Sequence, residues 1–139
     1  MSLRLELTDN PSAAELAAVG GGLTAFNDND VGPAERNPLA ILVRGDGDTV
    51  QGGLSGYTAW GWLYVQWLWL AEDLRGQGLA ARLLAMADSE AIKRGCHGAY
   101  IDSFSPTAID VYQRAGYVEF GRLNDFPPGR TRVFLQKAL

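Results

Sequence analysis

The residues of this chain whose types and spacing could do chemistry are concentrated at Arg75-Gly76-Gln77-Gly78-Leu79-Ala80. They follow the apolar run LYVQWLWL at 63–70 and open an amphipathic segment at 78–93, so they read as a strand-to-helix turn. The first N–H groups of a helix have no partner inside it, point together and carry partial positive charge, which suits a phosphate. Gly76 and Gly78 leave those amides uncovered, and Arg75 adds a full positive charge. Glycine is also the usual turn residue, so a purely structural turn is the competing reading. Cys96 and His97 are the single cysteine and single histidine. They cannot complete a usual zinc site, and neighbours on a strand point to opposite faces, so no metal is expected.

The elements that must hold this turn can be read from periodicity. The run at 63–70 is apolar at both alternating sets of positions and reads as a strand buried on both faces, in the middle of a sheet. Trp60, Trp62, Trp67 and Trp69 read as core and cross-strand packing. Before it, Leu3, Leu5 and Leu7 alternate with polar residues as in a half-buried first strand, and Asn10-Pro11 reads as a helix start. The Gly20-Gly21-Gly22 run is expected to interrupt that helix, with a short second piece at 23–27 and a polar loop from 27 to 38. Segments 39–44 and 49–57 read as strands joined at Gly45-Asp46-Gly47-Asp48, with Gly52 and Gly53 marking a bulge or a close backbone approach. After the helix, closed by Gly95, a strand at 99–104 should lie parallel to the central one. Ser105 caps a last helix, with Pro106 opening it and Gly116 closing it, and a hairpin at 118–123 and 131–135 completes the chain. This order gives a mixed α/β (α+β) domain built on one central sheet, as a single domain over 1–139.

Composition narrows the function classes. The chain has 139 residues, 47% of them hydrophobic, and a formal charge of −4 with no cluster of Lys and Arg. Binding to duplex nucleic acid needs clustered cations, so a nucleic-acid partner is not expected. One cysteine allows no internal disulfide and fits a reducing compartment. No basic-then-apolar leader opens the chain, and no stretch reaches the roughly 18 apolar residues of a membrane span. The expectation is a soluble, cytoplasmic protein with no membrane partner; monomer and homodimer both stay open.

Arg75, Gly78 and Ala80 match the Arg/Gln-x-x-Gly-x-Gly/Ala signature of the GCN5-related N-acetyltransferases (GNAT), which the chain resembles from 63 to 117. The order of strand, loop, long helix and strand is similar, and so is the following Ser-x-x-Ala-x-x-x-Tyr-x-x-x-Gly-Tyr at 105–117. The resemblance implies an acyl-CoA N-acyltransferase fold with a mostly antiparallel sheet and one splayed parallel strand pair. It implies acetyl-CoA as cosubstrate, with pantetheine along Trp69 and Leu70 and pyrophosphate on Arg75, Gly76, Gln77, Gly78, Leu79 and Ala80. Ser105 stands where the family more often has Asn beside the pantetheine, and Tyr112 matches the tyrosine that assists the departing sulfur. Segments around Phe26, Asp28, Asp30 and Phe126 are the implied walls of the acceptor site, where two acids would favour a cationic primary amine of a small molecule.

The implied reaction is direct attack of an amine on a thioester. An alkyl amine is neutral in only about one molecule in a few thousand at pH 7, a deficit of roughly 4 to 5 kcal/mol, so a base must help. The central strand offers only Gln66, whose amide cannot take a proton at neutral pH and could only orient a water or substrate. Asp102 is the one carboxylate inside the parallel pair, as a structural anchor or as the base. Two other readings use the same loop: a non-catalytic acetyl-CoA-sensing module, and a dinucleotide-binding protein, since Gly76 to Ala81 also fits Gly-x-Gly-x-x-Ala. The latter wants its first glycine at the strand end and several further strand–helix units.

Overall fold

A computed structural model describes residues 2–139 in two compact units, one ending at Ala34 and the other spanning Glu35–Leu139. In the second unit the alternating and apolar runs form strands β1 (Asn37–Arg44), β2 (Val50–Ala59), β3 (Trp62–Leu70), β4 (Gly98–Ser103), β5 (Val118–Asn124) and β6 (Thr131–Ala138). They make one six-stranded sheet in the order β1-β2-β3-β4-β6-β5, and only β3 and β4 run parallel. With a single parallel pair, the sheet lacks the repeated strand–helix units that a dinucleotide fold requires. Helix α2 (Leu79–Lys93) packs across β1, β2 and β3, and helix α3 (Pro106–Arg114) packs on β4. Between helices and sheet lies the core: Leu39, Leu54, Leu63, Val65, Ala99, Ile101 and Leu135 from the strands meet Leu84, Ala87 and Ala91 of α2. Arg94, just past α2, donates to the Asn37 carbonyl (3.0 Å) and to the Thr58 hydroxyl (3.1 Å), tying the helix end to the first two strands.

The central strand departs from the sequence expectation at its middle. Ser55 of β2 pairs with Trp67 and Gly56 with Val65, so Gln66 is an extra residue, a β-bulge. The extra residue shifts the phase of the strand: Leu63 and Val65 face the helices before it, Leu68 and Leu70 after it, and Trp67 and Trp69 turn to the other face. The run is therefore apolar at both sets of positions without being buried on both sides. Trp67 is 68% and Trp69 56% exposed, and Trp60 is also exposed, which corrects the expectation of a packed tryptophan cluster.

The first unit holds helix α1 (Ala13–Val31), continuous where an interruption was expected. Ser12, rather than Asn10, caps it: the Glu15 amide donates to the Ser12 hydroxyl (3.0 Å) and the Ser12 amide to the Glu15 carboxylate (2.8 Å). Each interior glycine disfavours helix by only about 1 kcal/mol, which this cap and the continuing backbone bonds outweigh. Residues 3–7 do not form the expected strand, since alternation supplies a face but not a partner, and Leu3, Leu5 and Leu7 are exposed. Among the described residues no helix is long and apolar enough to cross a membrane.

Gly56 sits opposite the bulge, where a Cβ would fall inside contact distance of the Tyr64 carbonyl oxygen. Gly56→Ala is expected to lower stability by about 1–3 kcal/mol, read as a reduced urea midpoint at unchanged m-value.

Candidate active site

Pairing between β3 and β4 runs from Trp62 opposite Gly98 to Val65 opposite Ile101 and stops there. From Gln66 to Leu70, β3 keeps β2 on one side and has no strand on the other, so its backbone groups there lack a strand partner, the Leu70 carbonyl being held by Arg75 instead. The open half leads, through a short 3₁₀ turn at Glu72–Leu74, into the glycine turn and α2. Gly76 and Gly78 both have φ of +76°, a left-handed conformation that favours glycine, and a Cβ at either would meet nothing within 4 Å. Gly78 is the N-cap of α2 with no side-chain cap, leaving the first amides of the helix, from Leu79 and Ala80 on, uncovered. Arg75 Nε donates to the Leu70 carbonyl (3.0 Å) and Gln77 Nε2 to the Asp73 carbonyl (3.0 Å), which fasten the turn to the strand end.

The sheet face away from α2 carries a row that the sequence reading missed. Tyr57, Tyr64 and Tyr100 are direct neighbours across β2, β3 and β4; the Tyr64 and Tyr100 rings stack at 4.6 Å, and Arg36 lies 3.8 Å over Tyr57. Asp102, on the same face just beyond the last β3–β4 rung, accepts from the Tyr64 hydroxyl (3.1 Å) and from Arg132 (3.0 Å). The Arg132 guanidinium stacks at 4.1 Å on Phe126, the residue expected to wall the site. The hairpin register around Trp60-Gly61, which sets Tyr57 opposite Tyr64, is the signal that could have found this row.

Tyr112 is buried on α3, and no hydrogen bond to its hydroxyl is found among the described residues. Burial, and secondarily the negative charge of Asp102, raise its pKa above the ordinary tyrosine value, so the phenol stays protonated at neutral pH. Ser105 caps α3, its hydroxyl accepting from the Ala108 amide at 3.3 Å. Gln66 is exposed at the bulge. Phe26, Asp28 and Asp30 lie on α1 of the first unit, the two acids on a helix where a polar loop was expected.

A strand that loses its neighbour immediately before an uncapped glycine turn is joined by a family match that covers most of the chain: the model described as the acetyltransferase (GNAT) family fits residues 9–117. The chain belongs to the GNAT family. This acetyltransferase is 44% identical over 131 residues to acetyltransferase Atu2258 of Agrobacterium fabrum, covering 94% of the chain and 96% of that protein. It is 37% identical over 109 residues to a blasticidin-S acetyltransferase of Streptomyces morookaense, covering 76% and 80%. A crystal structure of an acetyltransferase from Agrobacterium tumefaciens, 42% identical, matches with a TM-score of 0.94 over 99% of this chain and all of that one. The expected fold and family are thus both shown, and the likeness extends well beyond the segment at 63–117 that suggested it.

Burial also raises the pKa of Tyr64, of Tyr117 and of Tyr100, the last to about 12. The unfolded chain releases these protons near pH 10 while the folded acetyltransferase holds them, so stability is full below that pH and falls as pH rises above it. Absorbance titration of tyrosinate should show most of the five tyrosines ionising late, with urea stability declining over the same range.

Proposed function

We propose that this acetyltransferase moves the acetyl group of acetyl-CoA onto the primary amine of a small molecule. The observation that carries the reading is the open side of β3 from Gln66 to Leu70, continuous with an uncovered helix start at Gly78. A donor built as a thioester, an amide-bearing arm and a diphosphate needs unpaired backbone for its amides and clustered N–H groups for its phosphates. One stretch of this chain offers both. In this reading Trp69 and Leu70 pair with the arm, and the amides around Gly76, Gln77, Gly78, Leu79 and Ala80 take the diphosphate. Arg75 contributes charge while holding the loop. Ser105, whose hydroxyl oxygen already accepts from the helix, keeps its O–H to donate to the arm.

The amine nitrogen attacks the thioester carbonyl, the C–S bond breaks, and the amine proton passes to water. Tyr112, kept protonated by burial, gives a proton or hydrogen bond to the departing sulfur. Asp102 has both oxygens engaged, by Tyr64 and Arg132, and serves as the anchor of the tyrosine face rather than as base. Gln66, exposed at the bulge, orients the water or the acceptor. The half-exposed row of Tyr57, Tyr64 and Tyr100 beside Phe126 supports an acceptor with an apolar or ring body, and the relative named for acetylating blasticidin S supports a small molecule.

Calorimetry should show binding of acetyl-CoA and none of NAD, and thiol release across a panel of amines should name the best acceptor; binding without thiol release from any amine would favour a sensing module. Gly78→Val should block binding, and Arg75→Ala should weaken it by tenfold to a hundredfold, the loss of a charge-assisted bond of about 1.5–3 kcal/mol. Tyr112→Phe should lower turnover by roughly tenfold to a thousandfold with little change in affinity for acetyl-CoA. Asp102→Asn should keep the acidic limb of the pH–rate profile, which a general base at this position would remove.

A further inference from the structure

Every net charge of this chain, and much of its exposed apolar surface, lies in its first 34 residues. That segment has one arginine against five acids, for −4, while residues 35–139 carry 11 cations and 11 anions. Leu3, Leu5 and Leu7 are 85 to 101% exposed, and Leu16, Val19, Leu23 and Phe26, at spacings of three and four, make an exposed stripe down α1. Soluble monomers seldom leave such contiguous apolar surface in water.

The second unit has a surface that matches it. The outer edge of β1 pairs with no strand among the described residues, and beside it an open groove of about 740 Å³ runs between β1 and α2, lined by Leu39 and Ile41 on one wall and Ala85, Met86 and Lys93 on the other. The opposite sheet edge, β5, is guarded by the Glu119–Arg122 ion pair, whereas the groove side of β1 carries apolar residues. A strand such as 3–7, with leucines on one face, would complete the β1 backbone ladder and set those leucines into the groove.

We propose that two copies of this chain exchange arms, each laying residues 3–7 along β1 and its groove on the other. Two first segments of charge −4 repel one another, which disfavours their association with each other and leaves the neutral second unit as the seat. The contact is the same in both directions and closes as a two-fold dimer. Taking roughly 100 Å² of apolar surface for each of its three leucine side chains, residues 3–7 offer about 300 Å²; both arms with their receiving surfaces approach about 1,200 Å², at the lower end of the range of specific interfaces.

Sedimentation of the full chain at micromolar concentration tests this without reference to acetylation. The wild type is expected at twice the chain mass. The combined Leu3→Ser, Leu5→Ser and Leu7→Ser variant, which alters only exposed side chains, and separately Met86→Glu in the groove wall, should each sediment as monomers with unchanged circular dichroism. A monomeric wild type would overturn the proposal, and so would a dimer that survives the three serines or the groove substitution.

Discussion

One constraint organises this molecule: a central strand keeps two neighbours for its first half and only one for its second. Sheets seldom leave interior backbone groups unpaired, because each buried N–H or C=O without a partner costs about as much as a lost hydrogen bond. Here the separation is built in by a β-bulge at Gln66, where Gly56 lets β2 and β3 approach closely, and by the end of the β3–β4 ladder at Val65 and Ile101. The bulge keeps Leu68 and Leu70 facing the helices after the extra residue, so the core continues beneath a strand whose far side is open.

Asp102 steadies the point of separation. Its carboxylate lies just past the last parallel rung and links Tyr64 on β3 to Arg132 on β6, so three strands are joined on one face where backbone pairing stops. Partly buried charges are costly unless paired and hydrogen-bonded, and this one is both. Phe126 extends the same junction into the β5–β6 loop by covering the guanidinium.

Much of this was legible in the sequence. The Gly76 and Gly78 turn, the parallel strand pair and the Ser105-Pro106 helix start rest on local signals, and local signals dictate local geometry. The reading failed where a neighbour decided the outcome. An extra residue in one strand is defined only by its partner's register, so LYVQWLWL looked two-sided when its phase shifts at Gln66. The leucines at 3, 5 and 7 alternate like a strand but form none, because alternation does not supply the partner that pairing requires, and three glycines did not break a helix whose capping box lies a full two turns earlier. The tyrosine row was hidden for the same reason: Tyr57, Tyr64 and Tyr100 become neighbours only once three strands are in register.

The phase shift at Gln66 also gives the molecule an optical property. It turns Trp67 and Trp69 to the face away from the helices, both more than half exposed, on the very half of β3 that lacks a neighbour. Indole emission moves to shorter wavelength when water leaves the ring. Whatever lies along that open strand therefore changes the colour of the protein's own fluorescence, and occupancy of the cleft can be followed in real time with no label attached.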